Sequence, residues 1–143
     1  MTKDRPRTIL LVEDNPDDAL FAQRAFGRVC PEARLQLARD GEEAISYLSG
    51  KGIYGDRDRY PLPTLILLDL KLPRKSGFEV LEWRNGEPEL REIPVVVLTS
   101  SDQPQDIARA EQLGVQAYHV KPVTNEELVA TAKTICEAWS ALG

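Results

Sequence analysis

The chain has 143 residues, enough for one domain and short of what two usually need. A hydrophobic fraction of 42% supports a buried core and excludes global disorder. With 18 Lys and Arg against 23 Asp and Glu the formal net charge is −5, which argues against a nucleic-acid surface as the main purpose, because phosphate neutralisation needs a basic excess. No apolar run approaches the length of a membrane span, and the charged segment 1–8 lacks the apolar stretch of a signal peptide. Cys30 and Cys136 have no metal-ligand spacing and read as free thiols in a reducing compartment. The expectation is a soluble cytoplasmic domain.

In chain order, 8–12 (TILLV) reads as a strand, and 16–28 as a helix with Ala19, Leu20, Ala22 and Phe26 near one face. A more exposed strand follows at 34–38, then a short helix at 42–48. The stretch 49–63 carries no periodic pattern; connections of that length are uncommon. It reads as a solvated loop, or as a partner-contacting element built on Ile53, Tyr54 and Tyr60. The runs 64–68 and 94–98 are almost wholly apolar, as strands covered on both faces must be. Helices are expected at 77–83, 103–113 and 125–139, and a fifth strand at 116–120. Asp40-x-x-Glu43, Ser76-x-x-Glu79 and Thr124-x-x-Glu127 fit capping boxes, while Asn15-Pro16 and Asp102 before Pro104 mark two more helix starts. Trp83 and Trp139 are expected to pack helices on the sheet, and the lone His119 to serve packing or surface.

Five strands alternating with five helices call for a parallel sheet covered on both faces. A closed eight-fold barrel needs about 250 residues, and Glu13-Asp14-Asn15-Pro16 stands where a dinucleotide fold would carry its glycines. The remaining α/β solution is a flavodoxin-like doubly wound sheet of order 2-1-3-4-5, one unit over 1–143 with its core at about 7–141.

Ligands of such sheets bind beyond the carboxyl ends of the strands, where strand order reverses. Strand ends there carry Glu13 and Asp14, Asp69, Thr99 and Lys121. Three clustered carboxylates repel one another unless a cation joins them. Oxygen ligands without His or Cys select Mg²⁺ or Mn²⁺ over zinc. With a divalent ion and the Lys121 ammonium the cluster becomes neutral and receptive to a phosphoryl group. The chemistry this suggests is attack by an Asp carboxylate on phosphorus, with Asp69 as nucleophile at the end of the most apolar strand.

Glu13-Asp14, the LILLDLKLP stretch ending a strand at Asp69, Thr99-Ser100-Ser101 and Tyr118-His119-Val120-Lys121-Pro122 together resemble the receiver domain of two-component response regulators over nearly the whole chain. Thr99 and Lys121 follow Asp69 by 30 and 52 residues, in keeping with that likeness. The opening VEDNPDDA, the segment LDLKLPRKSG and the long 49–63 connection are similar to single-domain regulators that partner bacterial phytochrome-type histidine kinases. The resemblance implies that Asp69 accepts a phosphoryl group from a kinase phosphohistidine. It implies Mg²⁺ contacts from Asp14, Asp69 and the Lys71 main-chain carbonyl, with Glu13 acting directly or through water. Thr99 and Tyr118 would form a switch pair, Lys121 would pair with a phosphoryl oxygen, and the Lys121–Pro122 peptide would be cis. The readout surface would be the fourth helix, fifth strand and fifth helix, with self-association there, an unnamed downstream protein, and no DNA-binding, output or membrane domain. Two other readings compete: a phosphohydrolase of the haloacid-dehalogenase type, weakened by Lys71 where a second Asp belongs, and a receiver-like module that is never phosphorylated, weakened by the intact acids, Thr99 and Lys121. A flavin protein is weakened by the acidic first loop.

Overall fold

The computed structural model of the chain describes residues 7–141. The expected unit of 1–143 extends past both ends, so 1–6 and 142–143 lie outside the described residues. The strands are β1 (Thr8–Val12), β2 (Arg34–Ala38), β3 (Leu65–Leu68), β4 (Val95–Thr99) and β5 (Ala117–Val120). The α-helices are α1 (Pro16–Val29), α2 (Gly41–Ser49), α3 (Gly77–Asn85), α4 (Pro104–Gln112) and α5 (Asn125–Ala141). All strand pairings are parallel, in the order β2-β1-β3-β4-β5.

Alternation along the strands divides the core in two. Leu10, Val12, Ile66, Leu68, Val95 and Val97 face the side carrying α2, α3 and α4. Ile9, Leu11, Leu65, Leu67 and Val96 face α1 and α5. β1, β3 and β4 are therefore buried along their whole lengths, as unbroken apolar runs require. Edge strands β2 and β5 are half-buried for the most part.

Helix starts follow local chemistry. Asn15 Oδ1 accepts the Asp17 and Asp18 N–H groups at 2.9 and 3.0 Å. Ser76 and Glu79 close a full capping box. At α2, Asp40 accepts from the Glu43 N–H, but the Glu43 carboxylate returns to the Arg39 N–H. Asp102 is not the cap of α4; Gln103 holds that position without a side-chain cap bond. Trp139 is buried with its indole N–H on the Thr64 carbonyl at 3.1 Å, and Trp83 packs partly buried against the α2–α3 side.

Two further expectations change. The 49–63 connection contains a 3₁₀ turn, Gly52–Gly55, and is packed rather than loose. The Tyr47, Tyr54 and Tyr60 rings lie 5.0–6.0 Å apart, and the Arg57 guanidinium donates to the carbonyls of Tyr47, Leu48 and Tyr60. The cysteines are not free: Cys30, capping α1, and Cys136 of α5 form a disulfide. They meet because α1 and α5 pack side by side on one face, a proximity invisible in a sequence separation of 106. Among the described residues no helix is long and apolar enough to cross a membrane.

Candidate functional site

Parallel strands deliver their following residues to one edge of the sheet. Glu13 and Asp14 leave β1, Asp69 leaves β3, Thr99 ends β4 and Lys121 follows β5, and β1, β3, β4 and β5 are consecutive neighbours. Asp69 is 5% exposed and Glu13 4%, whereas Asp14 faces solvent.

Both Asp69 oxygens are engaged. Oδ1 accepts the Thr99 hydroxyl at 2.7 Å and the Lys71 backbone N–H at 3.1 Å, and Oδ2 accepts from the Lys121 ammonium at 2.9 Å. The same ammonium reaches Glu13 Oε1 at 2.7 Å and Asp18 Oδ2 at 2.8 Å. Burial alone would lower the Lys121 pKa, but its hydrogen bonds to Asp18, Glu13 and Asp69 outweigh this and hold it raised. Burial raises the Glu13 carboxyl above its usual range, against the lowering pull of Lys121 and of the Asn15 N–H, which binds Glu13 Oε2 at 3.0 Å.

Glu13, Asp14 and Asp69 each offer a carboxylate oxygen within 4.8 Å of the others. The donors are all hard oxygens, and the exposed Asp14 leaves one side open to solvent, so the set fits a hydrated, hard divalent cation. Lys71 is exposed beside Asp69. The Lys121–Pro122 peptide is trans, contrary to the cis expectation; no cis bond occurs among the described residues. Trans is the intrinsically favoured isomer of an X–Pro bond, and Lys121 reaches Glu13, Asp18 and Asp69 with it.

Tyr118 stands apart from the carboxylates. Its hydroxyl donates to the Ser101 carbonyl at 2.9 Å, while Ser101 Oγ binds Asp106 of α4. Burial raises the Tyr118 pKa, the carboxylates of Asp106, Asp102 and Asp69 add to the shift, and the Ser101 bond opposes it. Two residues given no role by the sequence thus join the site, Asp18 and Ser101. Asp18 carries a faint signal in its place in the first helical turn at the sheet's carboxyl edge, but paired acids there also read as favourable ends of a helix dipole.

Known proteins share this sequence pattern and fold. A family model described as response regulator receiver domain matches residues 9–133. The probable methanogenesis regulatory protein FilR2 of Methanothrix harundinacea is 43% identical over 135 residues, 94% of this chain and 84% of that protein. The phosphorylated cyanobacterial phytochrome response regulator RcpA superposes with a TM-score of 0.89 at 37% identity, covering 97% of each chain. The Mn²⁺-bound form of the response regulator Rcp1 superposes with a TM-score of 0.84, also at 37% identity, covering 94% of each.

Proposed function

Because this chain belongs to the response regulator receiver family, we propose that it carries a signal as an acyl phosphate on Asp69, received from a histidine kinase. The observation that carries this reading is the setting of one buried carboxylate, touched by a hydroxyl and an ammonium and within 4.8 Å of oxygens from two further acids. In the transfer an Asp69 oxygen bonds to phosphorus as the donor's N–P bond breaks, and the electron pair leaves with the imidazole. Lys121 and Thr99 stand where they can pair with phosphoryl oxygens, so this chain supplies positioning and charge and catalyses only its own modification.

Glu13, Asp14, Asp69 and the Lys71 carbonyl would hold Mg²⁺, which when bound neutralises charge on the carboxylates and on the transferred group. Thr99 and Tyr118 would form the switch pair. When the Thr99 hydroxyl turns from the Asp69 carboxylate to a phosphoryl oxygen, Tyr118 gives up the Ser101 carbonyl and biases α4, β5 and α5 toward an active state. That surface is the proposed contact for a downstream protein or a second copy. A phytochrome-type kinase is the proposed input, on the likeness to RcpA, and the cytoplasm the proposed location.

Acetyl phosphate with Mg²⁺ tests the assignment. Wild-type protein should take up one acid-stable, hydroxylamine-labile phosphate, and Asp69→Asn none. Uptake by the variant at the wild-type rate would remove Asp69 from its role.

A further inference from the structure

An ammonium has three protons, and in this structure all three are committed. Lys121 Nζ lies 2.7 Å from Glu13, 2.8 Å from Asp18 and 2.9 Å from Asp69. A phosphoryl oxygen arriving on Asp69 can therefore be paired by Lys121 only if one existing bond is given up. The three acceptors differ in what release would cost them. Before the bond to phosphorus forms, Glu13 and Asp69 are carboxylates whose side chains are 4% and 6% exposed, where water cannot take the ammonium's place, whereas Asp18 is 41% exposed and water can.

We infer that Asp18 is a positioning residue for Lys121: its carboxylate holds the ammonium beside Asp69 in the resting protein and is the partner exchanged for the incoming phosphoryl oxygen. This rests on the reading of Asp69 as phosphoacceptor. Asp18 then competes with the ligand for one donor, and its charge also opposes an anionic donor at the mouth of the site. Removing that charge while keeping the side-chain shape makes Lys121 more available, so anionic ligands bind more tightly. The bond-making step itself is unchanged: an Asp69 oxygen bonds to phosphorus as the acetate of acetyl phosphate leaves with the electron pair.

The test compares wild type, Asp18→Asn, Asp18→Glu and Asp17→Asn, all with saturating Mg²⁺. Asp17 is an exposed neighbour in the same helical turn and serves as the control for diffuse charge. Beryllofluoride affinity is measured by titration calorimetry, and acetyl phosphate labelling gives KM and kcat separately. For Asp18→Asn we expect the beryllofluoride Kd and the acetyl phosphate KM to fall about three- to fivefold, the scale of a partly exposed ion pair. Its kcat should change less than about twofold. Asp18→Glu should return both values toward wild type. Equal values for Asp18→Asn and wild type, or an equal shift in Asp17→Asn, would overturn the role of Asp18 while leaving Asp69 in place. If wild type takes up neither reagent, the Asp69 reading fails and this inference with it.

Discussion

The proposed attack of Asp69 on phosphorus needs a carboxylate held to within a fraction of an ångström, and the backbone carrying Asp69 is fixed by a contact that leaves no room for a side chain. Gly77 opens α3, and its N–H donates to the Leu70 carbonyl at 3.0 Å. A Cβ added there would collide with the Asp69 carbonyl oxygen and the Leu70 Cα, both backbone atoms that cannot swing aside. Gly86, at the other end of the helix, would meet only the Trp83 carbonyl at an ordinary 3.5 Å. Gly77→Ala should therefore cost about 1–3 kcal/mol in urea unfolding, as overpacked sites do, and slow acetyl phosphate labelling. Gly86→Ala should do neither. Equal behaviour of the two variants would show that α3 does not position Asp69. The capping box Ser76-x-x-Glu79 is legible in the sequence, but the need for a glycine beside it arises from a strand end nearby only in the fold.

Among the elements, the 49–63 connection departs furthest from its sequence pattern. It lacks periodicity because it is neither helix nor strand, and its order comes from one arginine and two rings. Arg57 caps α2 by taking the Tyr47 and Leu48 carbonyls, and Tyr54 donates to Glu43 Oε2 at 3.0 Å. Arg34 and Gln36 of edge strand β2 donate to the Arg59 carbonyl, so the connection also ties to that edge. Tyr54 and Tyr60 are thus partly buried in the fold, while Ile53 remains 65% exposed. The phenols report on this packing. Burial pushes Tyr47 up to about 12, and burial together with the Glu43 hydrogen bond pushes Tyr54 to about 12, against 10.0 for an ordinary phenol. Because the folded pKa values are raised, the folded state binds more protons than the unfolded state between about pH 10 and 12, and stability falls as pH rises through that window. Ultraviolet titration should show two phenols ionising late or only on unfolding. Arg57→Ala should bring Tyr54 back toward pH 10 and speed proteolysis within the connection, with β1 and β3 amides still protected, while Tyr47, buried in α2 and deprived of a cation that lowers it, should still ionise late. Unchanged late ionisation of Tyr54 in that variant would mean that the arginine does not order the segment.

At the scale of the whole molecule, the sheet order and the meeting of Glu13, Asp14, Asp69, Thr99 and Lys121 at one edge were legible for a physical reason. Central parallel strands must be apolar on both faces, so each ends abruptly at its first polar residue, and the parallel order puts those residues side by side. Contacts between helices on the same face leave no such mark. Asp18 and Lys121 lie 103 residues apart in sequence and meet because α1 starts at the edge where β5 ends. The trans Lys121–Pro122 bond and the Cys30–Cys136 disulfide also had no periodic signal to announce them. The disulfide gives a prediction of its own. It links the end of the first helix to the last helix and closes a loop over most of the chain, so it restricts the unfolded ensemble more than a short staple would. Cys30→Ser and Cys136→Ser should each lower the unfolding free energy by about 2–5 kcal/mol, and the double variant by no more than either alone, since one bond is lost in every case. Because α1 and α5 also pack through Ala22, Ala25, Phe26, Ala132 and Ile135, the variants should remain folded at room temperature and keep Mg²⁺-dependent labelling of Asp69. The measurements are urea unfolding with and without reductant, and thiol counting of the unfolded chain. Two reactive thiols in unreduced wild type, or additive losses in the double variant, would show that the two sulfurs contribute as separate buried side chains rather than as a bond.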